Sequence, residues 1–176
     1  MMSKRIVIAG WMLVMGLVAG TGLSAQAQGT SIGPSGLKVP RFVSLKSDRV
    51  NVRGGPSTDH KVKWVFRRAG LPVEIVHEFE NWRQIRDSEG EEGWVYHSLL
   101  SGRRTALISP WQTAGTLVSL RKDPTEEAGV TAKAQIGVQV DIKECEQGWC
   151  EVSVRNYNGW LKSNLLWGVY PNEEIN

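Results

Sequence analysis

The chain has 176 residues, with 21 lysines and arginines against 18 aspartates and glutamates and a formal net charge of +3. A nucleic-acid binder needs a concentrated positive face. Here Lys61, Lys63, Arg67, Arg68, Arg103 and Arg104 are offset by Glu89, Glu91, Glu92, Glu126 and Glu127, which reads as solvated surface and excludes nucleic acid as the partner.

Met1-Met2-Ser3-Lys4-Arg5 is a charged start, followed by an apolar run from Ile6 to Gly20 and by Ala25-Gln26-Ala27, a small-residue cleavage pattern. Residues 1–27 therefore read as a signal peptide cut after Ala27, giving a periplasmic or secreted protein that meets the membrane only transiently. The alternative is an uncleaved anchor, because no charge lies between Arg5 and Lys38 and the apolar stretch approaches the ~18 residues that begin to span a bilayer. The glycines and the cleavage pattern favour removal, which takes Lys4 and Arg5 with it and leaves 19 basic against 18 acidic side chains.

Residues 28–40 are rich in Gly, Ser and Pro and hold few apolar side chains, so they are expected to form a flexible linker. From Arg41 onward, short β-branched and aromatic runs alternate with turn formers, the pattern of an all-β protein. In the first unit the predicted strands are 42–45, 50–52, 62–66, 73–76, 82–86 and 93–96, with turns at Gly54-Gly55-Pro56, Ala69-Gly70, Glu80-Asn81 and Ser88-Glu89-Gly90.

The same landmarks then return in order. Arg53-Gly54-Gly55-Pro56 is matched by Arg121-Lys122-Asp123-Pro124, Trp82 by Trp149, and Gly93-Trp94 with Leu99-Leu100 by Gly159-Trp160 with Leu165-Leu166. Ordered landmarks at a nearly constant offset indicate a duplication. The units are expected at 41–103 and 116–176, the second including the C-terminal tail, with 104–115 as the inter-domain linker. Units this small lie near the lower limit for burying a core unaided, so repeat-matched tryptophans are expected to serve packing.

Val50-Asn51-Val52-Arg53-Gly54-Gly55-Pro56-Ser57, Trp82-Arg83-Gln84-Ile85-Arg86 and Glu92-Gly93-Trp94-Val95-Tyr96 together resemble the bacterial Src-homology-3 pattern, and the whole chain resembles the family's exported two-barrel members. The resemblance implies two tandem, five-stranded, partly open barrels that act as recognition modules, associated with cell-wall peptidoglycan or its peptides, or with partner proteins. It implies no catalysis and no cofactor. The second unit departs from the pattern at Leu120-Arg121-Lys122-Asp123-Pro124, which lacks the Asn and the glycine pair. The turn at Gly54-Gly55-Pro56 is read as a tight reversal that ordinary residues would strain.

Cys145 and Cys150 flank a short Gly-containing turn between two strand-like runs. In an oxidising compartment the simplest reading is a disulfide across a hairpin. A redox pair usually has closer spacing, and a metal site needs further ligands, whereas His60, His77 and His97 all lie in the other unit.

No nucleophile elbow, zinc-protease motif or Walker loop is present, so neither catalytic residues nor a metal site are expected. Two functions of different class remain. One is a cell-envelope module that binds peptidoglycan or a wall peptide through an aromatic floor, with Asn51, Arg53, Trp64, Trp82, Arg83, Tyr96 and His97 as candidate ligand-binding residues. The other is a periplasmic adaptor for an envelope protein, offering sheet edges or an aromatic groove.

Overall fold

The computed structural model describes residues 30–176; the expected signal peptide lies outside the described residues. The first unit contains β3 (Arg41–Leu45), β4 (Val50–Arg53), β5 (Val62–Phe66), β6 (Pro72–Phe79), β7 (Trp82–Arg86), β8 (Glu92–Tyr96) and β9 (Leu100–Ser101), preceded by β1 (Ser31–Ile32) and β2 (Lys38–Val39). The second contains β10 (Thr105–Ile108), β11 (Leu117–Arg121), β12 (Val130–Gln135), β13 (Gln139–Glu146), β14 (Trp149–Val154), β15 (Tyr157–Lys162) and β16 (Leu166–Trp167).

The sheets run β5-β4-β8-β7-β6-β3-β9 and β12-β11-β15-β14-β13-β10-β16, so the two units are wired identically, strand for strand. Each counts seven strands where the resemblance implied five. All six segments marked in the first unit are strands, and the seventh, β9, is a two-residue closing strand after a 3-10 turn at His97–Leu99. Each barrel has its own core: Leu45, Val50, Val52, Val73, Ile75, Ile85 and Val95 in the first; Ile108, Leu120, Val140, Val152 and Leu161 among others in the second.

Two expected linkers are corrected. Within 104–115, Thr105–Ile108 is the leading strand of the second barrel, the counterpart of β3, and all four residues are buried. It lacks the alternation of a half-exposed strand because both faces are covered. Ala106 and Ile108 enter the second core, while the Thr105 hydroxyl donates to the Gly70 carbonyl of the first barrel at 2.8 Å. Within 28–40, β1 and β2 form a hairpin, Val39 is buried, and the Ser35 N–H and hydroxyl donate to the Glu78 carboxylate at 2.9 and 2.8 Å. A buried carboxylate, rather than apolar contact alone, holds this segment in place.

The repeated Gly-Trp has a steric cause. β8 crosses β4 where Trp94 pairs with Arg53, and a Cβ on Gly93 would collide with Val52 and stand 3.0 Å from the Arg53 carbonyl. Gly159 meets the same limit, with Arg121 O and Leu120 Cβ each at 2.9 Å. The matched arginines also share a role: Arg53 Nη1 donates to the carbonyls of Thr58 and His60, and Arg121 Nη1 to that of Ala128, each closing the loop that follows its strand. The Gly54-Gly55-Pro56 turn works otherwise than expected. Neither glycine adopts a left-handed backbone; a side chain on Gly55 would instead strike the His60 ring.

A bulge in β6 between Ile75 and His77 shifts the alternation so that Glu78 turns inward, opposite Arg83. Its carboxylate is fully buried and lies 2.7 Å from Arg41 Nη2 and 3.1 Å from Arg83 Nε. A bulge at the same place in β13 turns Cys145 inward opposite Cys150, and there the expected disulfide closes the hairpin. Equivalent cross-strand pairs, Glu78–Arg83 and Cys145–Cys150, thus pin equivalent hairpins by an ion pair in one barrel and a covalent bond in the other. Each pin also anchors a chain end: Glu78 receives Ser35, and the Cys145 backbone bridges to Ile175.

The barrels also touch. Phe42 packs against Trp167 and Tyr170 at centroid distances of 5.2 and 4.8 Å, and the Tyr170 hydroxyl donates to Glu74 at 2.9 Å. Burial, and then the Glu74 charge, push the Tyr170 hydroxyl well above its ordinary range, so it remains a donor. Glu173 fixes this tail by accepting from Arg104 Nη1 at 2.7 Å and from the Tyr170 N–H at 2.9 Å. Leu166–Trp167 meanwhile pairs with β10, so the C-terminal tail closes its own barrel and reaches across to the first.

Burial by itself would raise the Glu78 carboxyl; the Ser35 N–H, the Arg41 guanidinium and the Ser35 hydroxyl outweigh it and hold the group below its usual 4.5. A depressed folded value means that the stabilisation is complete above about 4.5 and is lost as pH falls through the folded value. Glu78→Gln is expected to cost about 2 kcal/mol at neutral pH, the range for hydrogen bonds to a charged group. It is also expected to flatten the acid limb of the stability curve, as read from urea unfolding between neutral pH and pH 3.

Candidate functional site

Alternation along the strands decides which aromatic residues can meet. On β7 and β8, Ile85 and Val95 face the core, so Trp82 and Gln84, and Trp94 and Tyr96, stand on the outer face. The bulge in β6 puts His77 and Phe79 on that face too. Register aligns these residues into two rungs, Phe79–Trp82–Tyr96 and His77–Gln84–Trp94, two residues or about 7 Å apart along the strands.

The first rung is an aromatic row set by strand register. Trp82 and Tyr96 meet edge to face at 5.5 Å, and His97 lies beside the Tyr96 ring at 5.0 Å. Trp82 is 9% exposed, while Phe79 and Tyr96 are 48% and 38% exposed, so the row presents a buried centre with two open shoulders. In the second rung His77 meets Trp94 edge to face at 6.0 Å. Offset and perpendicular ring contacts of this kind leave apolar faces open to a flat partner.

Three of the seven residues expected at the site, Trp82, Tyr96 and His97, are brought together here. Arg83 lies on the inner side of the same hairpin, where it pairs with Glu78 and donates to the Glu80 and Trp82 carbonyls at 2.9 Å. With His97 it lines a cleft of about 720 Å3 beneath the N-terminal hairpin, among Ile32, Leu37, Phe42 and Leu100. His97 borders both the row and this cleft.

Trp64 does not join them. It pairs with Val52 and therefore points inward, packing against the first core with its ring below Gly93. Asn51 stands on the outer face of β4, opposite Val65, and Arg53 spends its guanidinium on the loop carbonyls. Phe79, His77 and Trp94 belong to the outer face and were not among the ligand-binding candidates expected from sequence. Period-two spacing in His77-Glu78-Phe79 and Trp94-Val95-Tyr96 carried the signal, but the bulge that sets the phase of β6 was not visible.

The second barrel carries no such row. Its equivalent rungs are Glu146–Trp149–Lys162 and Glu144–Glu151–Trp160, with the Lys162 ammonium 5.6 Å from the Trp149 ring and the same lysine paired to Glu126. The rung next to the hairpin turn is wholly aromatic in one copy, whereas in the other a single tryptophan stands between charged side chains.

The bacterial SH3 domain model matches residues 46–102 and 114–168. The chain belongs to the bacterial SH3 domain family. Both matches begin after the leading strand of their unit, β3 and β10. A curated relative, "Putative N-acetylmuramoyl-L-alanine amidase YrvJ" of Bacillus subtilis (strain 168), is 27% identical over 128 residues, 69% of this chain. The alignment spans only 24% of that relative's length. Among solved structures, NlpC2 and NlpC1 from Trichomonas vaginalis superpose with 13% and 14% identity and a TM-score of 0.33, covering 73% and 78% of this chain and 48% of each of theirs.

The inward and outward aromatics of this bacterial SH3 chain should separate in a stability experiment. Trp64→Ala removes packing from the first core and is expected to cost about 3 kcal/mol, whereas Tyr96→Ala, on an exposed shoulder, should cost about 1 kcal/mol or less. Denaturant midpoints of the two variants check this.

Proposed function

We propose that this protein is an exported envelope-binding module that recognises peptidoglycan or a cell-wall peptide. The reading assigns the contact to the outer face of β6, β7 and β8 in the first barrel. The observation that carries it is the Phe79–Trp82–Tyr96 row with His97 at its end, an exposed aromatic surface that the second barrel replaces with charge. Aromatic rings with open faces and nearby polar tips suit a ligand that alternates apolar and polar groups.

Family membership supports this reading, and so does the curated relative, whose name describes an enzyme acting on an N-acetylmuramoyl-L-alanine linkage. The chain resembles about a quarter of that relative, so the enzyme's reaction is not carried over. The expected signal peptide supports a location outside the cytoplasm. Trp82 acts as the fixed centre, Phe79 and Tyr96 as the contact shoulders, and His97 as the polar end of the row.

Co-sedimentation with purified sacculi tests this. The chain lacking residues 1–27 is expected in the pellet, and Phe79→Ala with Tyr96→Ala should weaken retention at least tenfold while leaving the unfolding midpoint nearly unchanged. Complete recovery of the unaltered chain in the supernatant contradicts the proposal.

A further inference from the structure

The repeat carries an equivalent cleft on each barrel, and the two differ in what lines them. Trp64 pairs with Val52 and Phe66 with Val50 in the first barrel; at the equivalent positions Ala132 pairs with Leu120 and Ala134 with Val118. Both aromatic side chains that pack against the first core are alanines in the second. The cleft there has about 540 Å3, close to the 500 Å3 of its counterpart in the first barrel, but its floor is Leu120, Ala132, Ala134, Val138 and Val154, flanked by Tyr157, itself 57% exposed.

The two clefts also differ in charge. In the first barrel the corresponding cleft contains Trp64 and Phe66 and is rimmed by Asp87, Glu89 and Glu91. In the second the charged lining residues are Lys133 and Arg155, both exposed, and neither has an ion-pair partner among the described residues. Five consecutive residues of β12, Thr131 to Gln135, line it. Since β12 ends the order of its sheet, one row of its backbone N–H and C=O groups has no strand beside it among the described residues.

We propose that this cleft docks an extended acidic segment of a partner protein, added as a strand along the free edge of β12. Strand addition takes its affinity from backbone hydrogen bonds and its specificity from pockets for alternate side chains. An apolar side chain of the incoming segment lies over the two alanines, and the carboxylates that alternate with it meet Lys133 and Arg155. An acidic partner is favoured by charge complementarity, because two unpaired cations border the cleft, Arg155 at its side and Lys133 on the face of β12 opposite Ala132 and Ala134. This site is separate from the aromatic row and extends the protein's role from wall attachment to recruitment.

The test uses the chain lacking residues 1–27 and a fluorescent peptide that alternates glutamate with valine and phenylalanine, compared with the same peptide carrying lysine for glutamate. The acidic peptide is expected to bind at least tenfold more tightly. Ala132→Trp with Ala134→Phe, which rebuilds the pair present in the first barrel, should weaken it at least tenfold, and Lys133→Glu with Arg155→Glu should erase the preference between the peptides. Both double variants should retain their binding to sacculi, so a failure here is distinct from a failure of the wall-binding reading. The charge reversal touches two exposed side chains and decides the matter even where the aromatic pair does not pack. Equal binding of the two peptides, or binding unchanged by the charge reversal, overturns the proposal. So does sedimentation of the chain alone as a larger species that the charge reversal disperses, since the occupant would then be a second copy.

Discussion

The cross-strand pair near the tip of the β6–β7 hairpin governs much of the first barrel. Glu78 and Arg83 face each other because a bulge shifts the phase of β6, and that phase places Phe79 and Trp82 together on the opposite face. A buried carboxylate without partners would be costly; here two guanidiniums, an N–H and a hydroxyl surround it. The arrangement draws the N-terminal hairpin onto the barrel and holds the aromatic row at the hairpin's tip. The second barrel solves the same mechanical problem with Cys145–Cys150.

Duplication kept the wiring and let the surfaces diverge. What persists is what the backbone crossing requires: a glycine where β8 or β15 passes over β4 or β11, and an arginine that closes the following loop. What changes lies at the cross-strand pin, on the outer face and along the free edge strand. There an aromatic rung becomes Glu146–Trp149–Lys162, and an aromatic pair becomes Ala132 and Ala134. The barrels are joined by Phe42, Trp167 and Tyr170, with Thr105 bonded to Gly70, so the two surfaces are carried on units in direct contact. For small domains with modest cores, such contact supplements what each barrel buries alone.

The sequence made the duplication, the strand positions and the disulfide legible, because Gly-Trp pairs, Trp-led strands and paired cysteines answer to local geometry. It concealed β10, whose four residues are covered on both faces and so lack alternation. It also concealed the ordered hairpin at residues 31–39, whose polar anchor is a carboxylate 43 residues from Ser35. At the candidate site, Trp82, Tyr96 and His97 were legible from their place in the Gly-Trp and Trp-led motifs. Trp64 was placed with them because a tryptophan in a strand shows its type but not its face. Phe79 was missed because a bulge, set by pairing with a strand farther along the chain, decides which way it points.

Nuclear magnetic resonance of isotope-labelled protein, titrated with soluble fragments of enzymatically digested sacculi, tests most directly that the outer face of the first barrel is the wall-binding surface. The largest shifts should fall on Phe79, the Trp82 indole, Tyr96 and His97, with Trp149 and Lys162 unmoved. Binding of the fragments that shifts the second barrel and leaves this row unchanged, or no shift anywhere, would contradict it.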